Sequence, residues 1–389
     1  MPYFPPISSP FTKFLTSLCS SDSGISSILG HGRHTGICFM AQMAKCCWII
    51  CFFVFSSLVR VYEASPNPGD SDQLYKACFS QCQKTGCVGA KCFSCCNSAS
   101  DGSLLDGSWY KIKNLYFWWN QWDCQGNCRY HCMLYREKER IELGLEPVKY
   151  HGKWPSRCQY GFQFAQEPIS VAISALNLVM HFHGWRSFSN LLYYSLPLKP
   201  DKTPFYDYAS LFKVYGLLAM NSWFWSAIYH FRDMALTEKL EYSSVVAFLG
   251  YSIILANIRS FGLRSDAARV MVAAPIFAFA TTHILFLCNY NMDYEWNTKV
   301  CIGMGIAQAV SWAVWGGTTD LACRWKLWMV VLGGAFGVVG KMLDFPPYQG
   351  IVHGETVWQA SNIPLTYIWW NFIKYDAESR TADLLKKVR

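Results

Sequence analysis

Ser226 and His230 stand four residues apart in the run Asn221-Ser-Trp-Phe-Trp-Ser-Ala-Ile-Tyr-His230, just ahead of a charged stretch from Arg232 to Glu241. On a helix this spacing stacks a hydroxyl and an imidazole on one face. Apolar residues before the pair and charges after it place it where a membrane span meets its loop. Ionisable groups at that depth are costly in lipid and mark candidate functional positions. With carboxylates nearby, such a pair can hold a metal that activates water for attack on a lipid acyl bond. It can also be a polar couple that only satisfies its own hydrogen bonds inside a helix bundle.

The elements that must position the pair follow from composition. Of 389 residues, 52% are hydrophobic, 17% aromatic and only 15% charged, which is the balance of a multi-span membrane protein. Seven apolar stretches follow one another, at roughly 168–194, 206–230, 243–258, 267–288, 299–316, 325–342 and 356–373. The fold class expected is an all-α seven-transmembrane bundle behind a small cysteine-rich luminal domain.

Loop charge orients these spans. Lys199/Lys202, Arg259/Arg264/Arg269, Arg324/Lys326 and a tail with Lys374, Arg380, Lys386, Lys387 and Arg389 alternate with loops poor in Lys and Arg. By the positive-inside rule the former are cytosolic, so the cysteine-rich segment is luminal. The net charge of +8 is therefore read as topological; no basic stretch carries the interleaved aromatics of a nucleic-acid groove, and no nucleic-acid partner is expected. This topology brings Ser226, His230, Glu241, His353, Glu355 and Gln359 to one luminal membrane face. An interhelical hydrogen-bond network would favour the same residue types.

Ten of the eighteen cysteines fall between Cys78 and Cys158. Zinc is one reading, since Cys92/Cys95 and the Cys124, Cys128, His131, Cys132 group have ligand-like spacings. Disulfides are the stronger reading behind an export signal. Met43-Ala44-Lys45, an apolar run from Cys46 to Val59 and the small residues Ala64-Ser65 form such a signal, or a short anchor if it is not cleaved. The expected organisation is an N-terminal extension over 1–42 ahead of a functional start at Met43 or Met40, a signal over 43–65, a disulfide-rich domain over 66–160, a membrane domain over 161–375 and a cytosolic tail over 376–389. Within the cysteine-rich part, residues Arg136 to Leu145 form a charged helix-like piece. Lys386-Lys387 fits the dilysine pattern read by coat proteins, a receptor-read address that requires a cytosolic tail.

Other polar groups carry less. His181 and His183 are two residues apart, so their side chains diverge on a helix and do not share a metal. His283 is expected to bond a neighbouring helix, Gly86, Gly89 and Gly333/Gly334 to serve turns or close packing, and Trp369-Trp370 to anchor at the membrane interface. No phosphate-binding glycine loop and no GxSxG elbow occurs, which argues against nucleotide use and a soluble lipase mechanism.

The runs Tyr150-His-Gly-Lys-Trp-Pro155, Gln166-Glu-Pro-Ile-Ser170, Ser174-Ala-Leu-Asn177, Asn221 to His230, Arg232-Asp233, Thr237-Glu-Lys-Leu-Glu-Tyr242 and Asp344-Phe-Pro-Pro-Tyr348 occur in this order. Together they resemble the post-GPI-attachment-to-proteins factor 3 / Per-like family, over about residues 70 to 380 and most closely its plant members. The resemblance implies seven spans, a Golgi or endoplasmic reticulum location, and lipid remodelling of GPI-anchored proteins by removal of the anchor's sn-2 acyl chain.

It also implies a zinc site with Ser and His four apart in the second span, an Asp eleven residues later and His-x-x-x-His in the seventh span. Ser226 and His230 match that pattern. The Asp position falls on Glu241, and the two histidine positions fall on Glu355 and Gln359. In the implied mechanism zinc held by His230, Glu355 and Gln359 activates water, Glu241 moves the proton and Ser226 orients the site. Because Glu355 and Gln359 replace histidines, a second reading stands beside the first: a member without turnover that binds lipid or escorts GPI-anchored proteins.

Overall fold

The computed structural model describes residues 68–93, 96, 124–155, 167–290, 294–343, 345–346 and 352–388, all in one compact unit. The extension 1–42, the signal segment 43–65, Cys95 and Cys158 lie outside the described residues.

The N-terminal domain is built on paired cysteines. After a short turn of helix, α1 (Pro68–Ser71), Asp72 caps α2 (Gln73–Thr85) by accepting a hydrogen bond from the Leu74 amide. Gly86 ends α2 at φ 69°, a left-handed conformation that lets the chain turn into the hairpin β1 (Cys87–Val88) and β2 (Lys91–Cys92). Cys78 and Cys82 on α2, like Cys128 and Cys132 on α3 (Cys124–Glu142), are four apart and so line one helix face. The bonds Cys78–Cys132 and Cys82–Cys128 join those faces, and their inverse order makes the two helices antiparallel. Cys87–Cys92 and Cys96–Cys124 complete the set among the described residues.

These bonds decide the zinc alternative for this domain. The sulfurs of Cys96, Cys124 and Cys128 lie within 4.8 Å of one another, yet each is in a disulfide and offers no thiolate. His131 stacks on Phe93 with ring centroids 4.8 Å apart. The piece expected from Arg136 to Leu145 is the last part of the longer helix α3, which ends at Glu142. Replacing Cys78 and Cys132 together by serine is expected to cost about 4 kcal/mol, the chain-entropy value for a loop of this length. The check is faster proteolysis of this domain at unchanged proteolysis of the bundle.

Seven long helices follow: α4 (Pro168–Asn190), α5 (Ala209–Phe231), α6 (Ala235–Ser260), α7 (Asp266–Asn289), α8 (Tyr294–Thr318), α9 (Arg324–Leu343) and α10 (Gly354–Val388). A five-residue π-helical turn, Leu191–Ser195, extends α4. Each helix overlaps one expected apolar stretch. Four segments are long and apolar enough to cross a membrane by length and composition: Leu236–Ser260, Asp266–Asn289, Trp296–Thr318 and Arg324–Leu343. The remaining three, α4, α5 and α10, bury polar side chains such as Asn177, His230 and Gln359, which lowers their hydropathy.

The helices close a ring in the order α4, α5, α6, α8, α9, α10 and back to α4, with α7 packed outside against α6. Small residues permit the closest approaches. A Cβ on Gly184 would lie 2.2 Å from the Trp370 ring, and one on Gly333 would lie 2.6 Å from Leu365. Gly334 has nothing within 4 Å, so only the first glycine of the expected pair serves packing.

One expectation is corrected here. Trp369 and Trp370 are 5% and 2% exposed and belong to the bundle core, packed with Phe188, Phe212, Tyr215 and Trp312. A tryptophan pair reads as an interface anchor only if its helix ends nearby, and α10 does not: it runs on to Val388. Asp376, Ala377 and Thr381 are buried, so the first part of the expected tail packs as helix. Asp376 is held by Arg259 from the end of α6 and by the Tyr206 hydroxyl.

Candidate functional site

His230 closes the last turn of α5 and is 5% exposed. Its nearest charged partner comes from the start of α4. Pro168 takes the first helical position, where its missing N–H costs nothing and its fixed φ suits the helix, and this leaves Glu167 as the cap. The Glu167 backbone amide donates to the His230 carbonyl at 3.2 Å, and the His230 Nδ1–H donates to Glu167 Oε2 at 2.8 Å. A carboxylate on Nδ1 fixes the ring's orientation and leaves Nε2 as the second functional nitrogen.

Nε2 faces the side-chain amide of Gln359 on α10, at 2.8 Å. The amide NH2 donates to a neutral ring; turned over, its oxygen accepts from an imidazolium. Gln359 is itself fixed, since Asn177 Nδ2 donates to its backbone carbonyl at 2.9 Å. Ser226, one turn before His230, shares a hydrogen bond of 3.3 Å with Ser174 of α4. Ser174, Asn177, Ser226 and Gln359 are all at most 6% exposed. Helices α4, α5 and α10 thus meet in one buried polar cluster.

The carboxylates behave differently from one another. Glu355 pairs with Lys341 of α9 at 2.8 Å, both about one third exposed at 33% and 34%. Glu241 on α6 is buried, and its Oε2 has no hydrogen-bond donor. His353 bonds Thr356 Oγ1 at 3.0 Å and stays in the turn before α10. Of the residues expected at one face, His230 and Gln359 are in direct contact, Ser226 joins through the serine pair, and Glu355 points to Lys341. Glu241 joins none of these pairs and keeps Oε2 without a donor.

The N-terminal domain reaches the same place. Tyr150 and Lys153 form an antiparallel bridge that turns the Tyr150–Pro155 segment toward the bundle. Lys153 Nζ bonds Asp233 at 3.1 Å and lies 3.5 Å from the centroid of the Tyr229 ring. Burial alone would raise the pKa of Glu167, but the charges of Lys153 and His230 more than offset it and hold the carboxyl below its usual range. A cavity of about 70 Å³ opens above Glu167, lined by Arg129, Lys153, Trp154, Asp233 and Tyr294 among others.

Zinc does not fit this donor set. Both His230 nitrogens already hold protein partners, Glu355 is committed to an ammonium, and an amide is a weak zinc donor. The Lys341 charge beside Glu355 would also repel a dication. Among the described residues around His230, the buried oxygens without a hydrogen-bond partner are Asn177 Oδ1, the Tyr229 hydroxyl, Glu241 Oε2 and Gln359 Oε1.

Four of these residues are not candidates on sequence spacing alone: Glu167, Ser174, Asn177 and Lys341. The first three stand in the runs Gln166–Ser170 and Ser174–Asn177, so the signal was in the motifs. Lys341 is a lone cation at the end of an apolar stretch, where a snorkelling lysine is the ordinary interpretation. His283 bonds Asn297 of α8 at 3.1 Å, as expected of a helix-packing histidine. His181 accepts from Trp370 Nε1 at 3.3 Å.

Residues 114–377 match the Per1-like family. A Xenopus tropicalis protein named GPI-specific phospholipase A2-like PGAP3 is 30% identical over 328 residues, covering 84% of this chain and 94% of its own. The Homo sapiens protein of that name is 28% identical over 324 residues, covering 81% and 90%. The Schizosaccharomyces pombe protein PER1 homolog is 27% identical over 329 residues, covering 83% and 91%. With the match spanning both the cysteine-bonded domain and the helices that converge on His230, the chain belongs to the Per1-like family.

Proposed function

We propose that this chain works in the lipid remodelling of GPI-anchored proteins by holding the lipid anchor at the His230 cluster, without turnover of the sn-2 ester. One observation carries the choice: Gln359 sits on His230 Nε2 while Glu355 is spent on Lys341, so the two groups in the histidine positions close the site instead of opening a metal position. The protein is placed in a Golgi or endoplasmic reticulum membrane, with seven spans, a luminal cysteine-bonded domain and a cytosolic C-terminus. Lys386-Lys387 there would be read by coat proteins.

The test is capture of a photoreactive GPI lipid by the full-length chain in detergent. Wild type is expected to label at α4, α5 or α10, and Gln359→Leu, which leaves His230 Nε2 without its partner, to label at least tenfold less. Equal labelling of both, or labelling confined to other helices, contradicts the reading.

A second reading, phospholipase A2-type removal of the sn-2 acyl chain, is favoured by a separate observation. The His230–Glu167 pair is the arrangement of a carboxylate-supported base, and Glu241 keeps a free carboxylate oxygen. Were Gln359 to swing away, Nε2 could take a proton from water while Glu167 stabilised the imidazolium. Release of free fatty acid from a GPI lipid by wild type, lost in His230→Ala, would favour that reading over the first.

A further inference from the structure

We infer that a groove at the far end of α5 from His230 binds the head group of a polyanionic phospholipid, one that carries a phosphate monoester besides its diester. The groove has a volume of about 730 Å³ and is lined by Lys199, Lys213, Arg264 and Arg269 against a single carboxylate, Asp207. These cations come from three places in the chain: the loop after α4, the start of α5 and the link from α6 into α7. Like charges gathered in this way repel one another, and an anion held among them removes that cost.

The charges are available to a ligand. Arg269 has the only ionic partner of the four among the described residues, Asp266 at 3.7 Å, whose side chain is fully exposed. Lys213 Nζ donates to the Tyr193 hydroxyl at 2.6 Å and keeps two further donors. Lys199 lies 6.0 Å from the centroid of the Phe205 ring, and neither its side chain nor that of Arg264 forms a hydrogen bond or ion pair. The nearby acid Asp201 is occupied by the Thr203 amide and hydroxyl, at 3.1 and 2.7 Å. A bridge between Leu198 and Pro204 and the Lys199 amide donating to the Thr203 carbonyl at 2.9 Å hold this loop, so Lys199 is placed in advance of any ligand.

The surroundings favour a lipid over a soluble anion. Helix α7 starts beside the groove at Asp266 and is long and apolar enough to cross a membrane, and Val270 and Met271 near its start are exposed. Tyr193 and Tyr194 are exposed on the π-helical turn that extends α4. A head group among the cations would have its acyl chains beside this apolar surface. Loop charge assigns this end of the bundle to the cytosol, and the cytoplasmic leaflet is the one rich in anionic lipids. The 23 residues of α5 put the groove about 35 Å from His230, so the inference does not rest on the GPI reading.

The experiment uses the full chain in detergent, with native mass spectrometry as the readout of bound lipid and a monophosphorylated phosphatidylinositol with dioctanoyl chains as the probe. Wild type is expected to bind the probe about tenfold or more tighter than dioctanoyl phosphatidylcholine. Lys199→Gln with Arg264→Gln, at two side chains that bond nothing in the fold, is expected to keep the wild-type Tm and lose that preference. Lys199→Arg with Arg264→Lys retains both charges and is expected to bind as wild type does. Lys76→Gln with Lys84→Gln removes as much charge from α2 and is also expected to bind as wild type does. A wild-type chain with no preference over phosphatidylcholine would overturn the proposal, as would an equal loss of binding in the α2 variant. Displacement of the probe by an equal concentration of its head group without chains would overturn it too, by assigning the groove to a soluble anion.

Discussion

Asp376→Ala is expected to destabilise the bundle by about 3–5 kcal/mol, the range for removing one partner of a buried ion pair. Asp376 is 3% exposed at its side chain and Arg259 is 12% exposed. The guanidinium grips the carboxylate with two nitrogens, Nε at 2.9 Å and Nη2 on the other oxygen, and lies 4.5 Å from the centroid of the Trp315 ring. The Tyr206 hydroxyl donates to the same carboxylate. Without Asp376 the arginine stays buried between aromatic rings with no counter-charge, and a tyrosine loses its acceptor. The opposite design gives the control. Asp376→Leu with Arg259→Met removes both charges and is expected to recover most of the loss, because a buried pair is often no better than apolar residues of similar size. Unfolding of the detergent-solubilised chain in a denaturant series measures all three proteins.

The second large effect concerns two glycines that the sequence does not distinguish. Gly184→Ala is expected to cost about 3 kcal/mol or more, although alanine is the better helix former by about 1 kcal/mol. The added carbon would lie 2.2 Å from two atoms of the Trp370 ring, closer than any real contact. That ring cannot retreat: Trp370 is 2% exposed, its Nε1 donates to His181, and Phe188 and Tyr215 pack on it at 5.9 and 6.1 Å. At Gly334, where nothing lies within 4 Å, the same substitution has only the propensity term. It is expected to leave stability unchanged or raise it by up to about 1 kcal/mol. The same unfolding series reads both, and equal effects at the two positions would contradict the packing of α4 on α10.

Much of the architecture is written locally in the chain. Pro168 marks the start of α4, and each apolar stretch marks a helix. The four-residue spacing of Cys78/Cys82 and Cys128/Cys132 prepares two facing ladders of sulfur. Pairing itself is not local, and the spacing alone left zinc open. Helix ends are not set locally either. Beyond Ile373 the apolar pattern of α10 stops, yet the helix continues because Asp376 finds Arg259, a residue 117 positions away.

The site shows the same division. Ser226 and His230 are visible as a pair because one helix carries both. The group that holds His230 is Glu167, 63 residues earlier, and the group that occupies Glu355 is Lys341 on the neighbouring helix. Neither partner can be assigned from periodicity, since a helix repeat constrains only its own face. Resemblance supplied the positions of Glu355 and Gln359 and the zinc expectation that came with them. Chemistry at those positions then departs from the expectation, because an amide and an ion-paired carboxylate satisfy their neighbours instead of leaving ligand sites open.

Holding a GPI anchor with its sn-2 ester intact is the function proposed for this site. Mass spectrometry of GPI lipids tests it most directly, on anchored proteins co-isolated with the chain from cells that lack the family's own remodelling activity. The predicted result is that anchored proteins co-isolate with wild type, fall away with Gln359→Leu, and carry both acyl chains. Anchors lacking the sn-2 chain in cells expressing wild type, and complete anchors with His230→Ala, would contradict it.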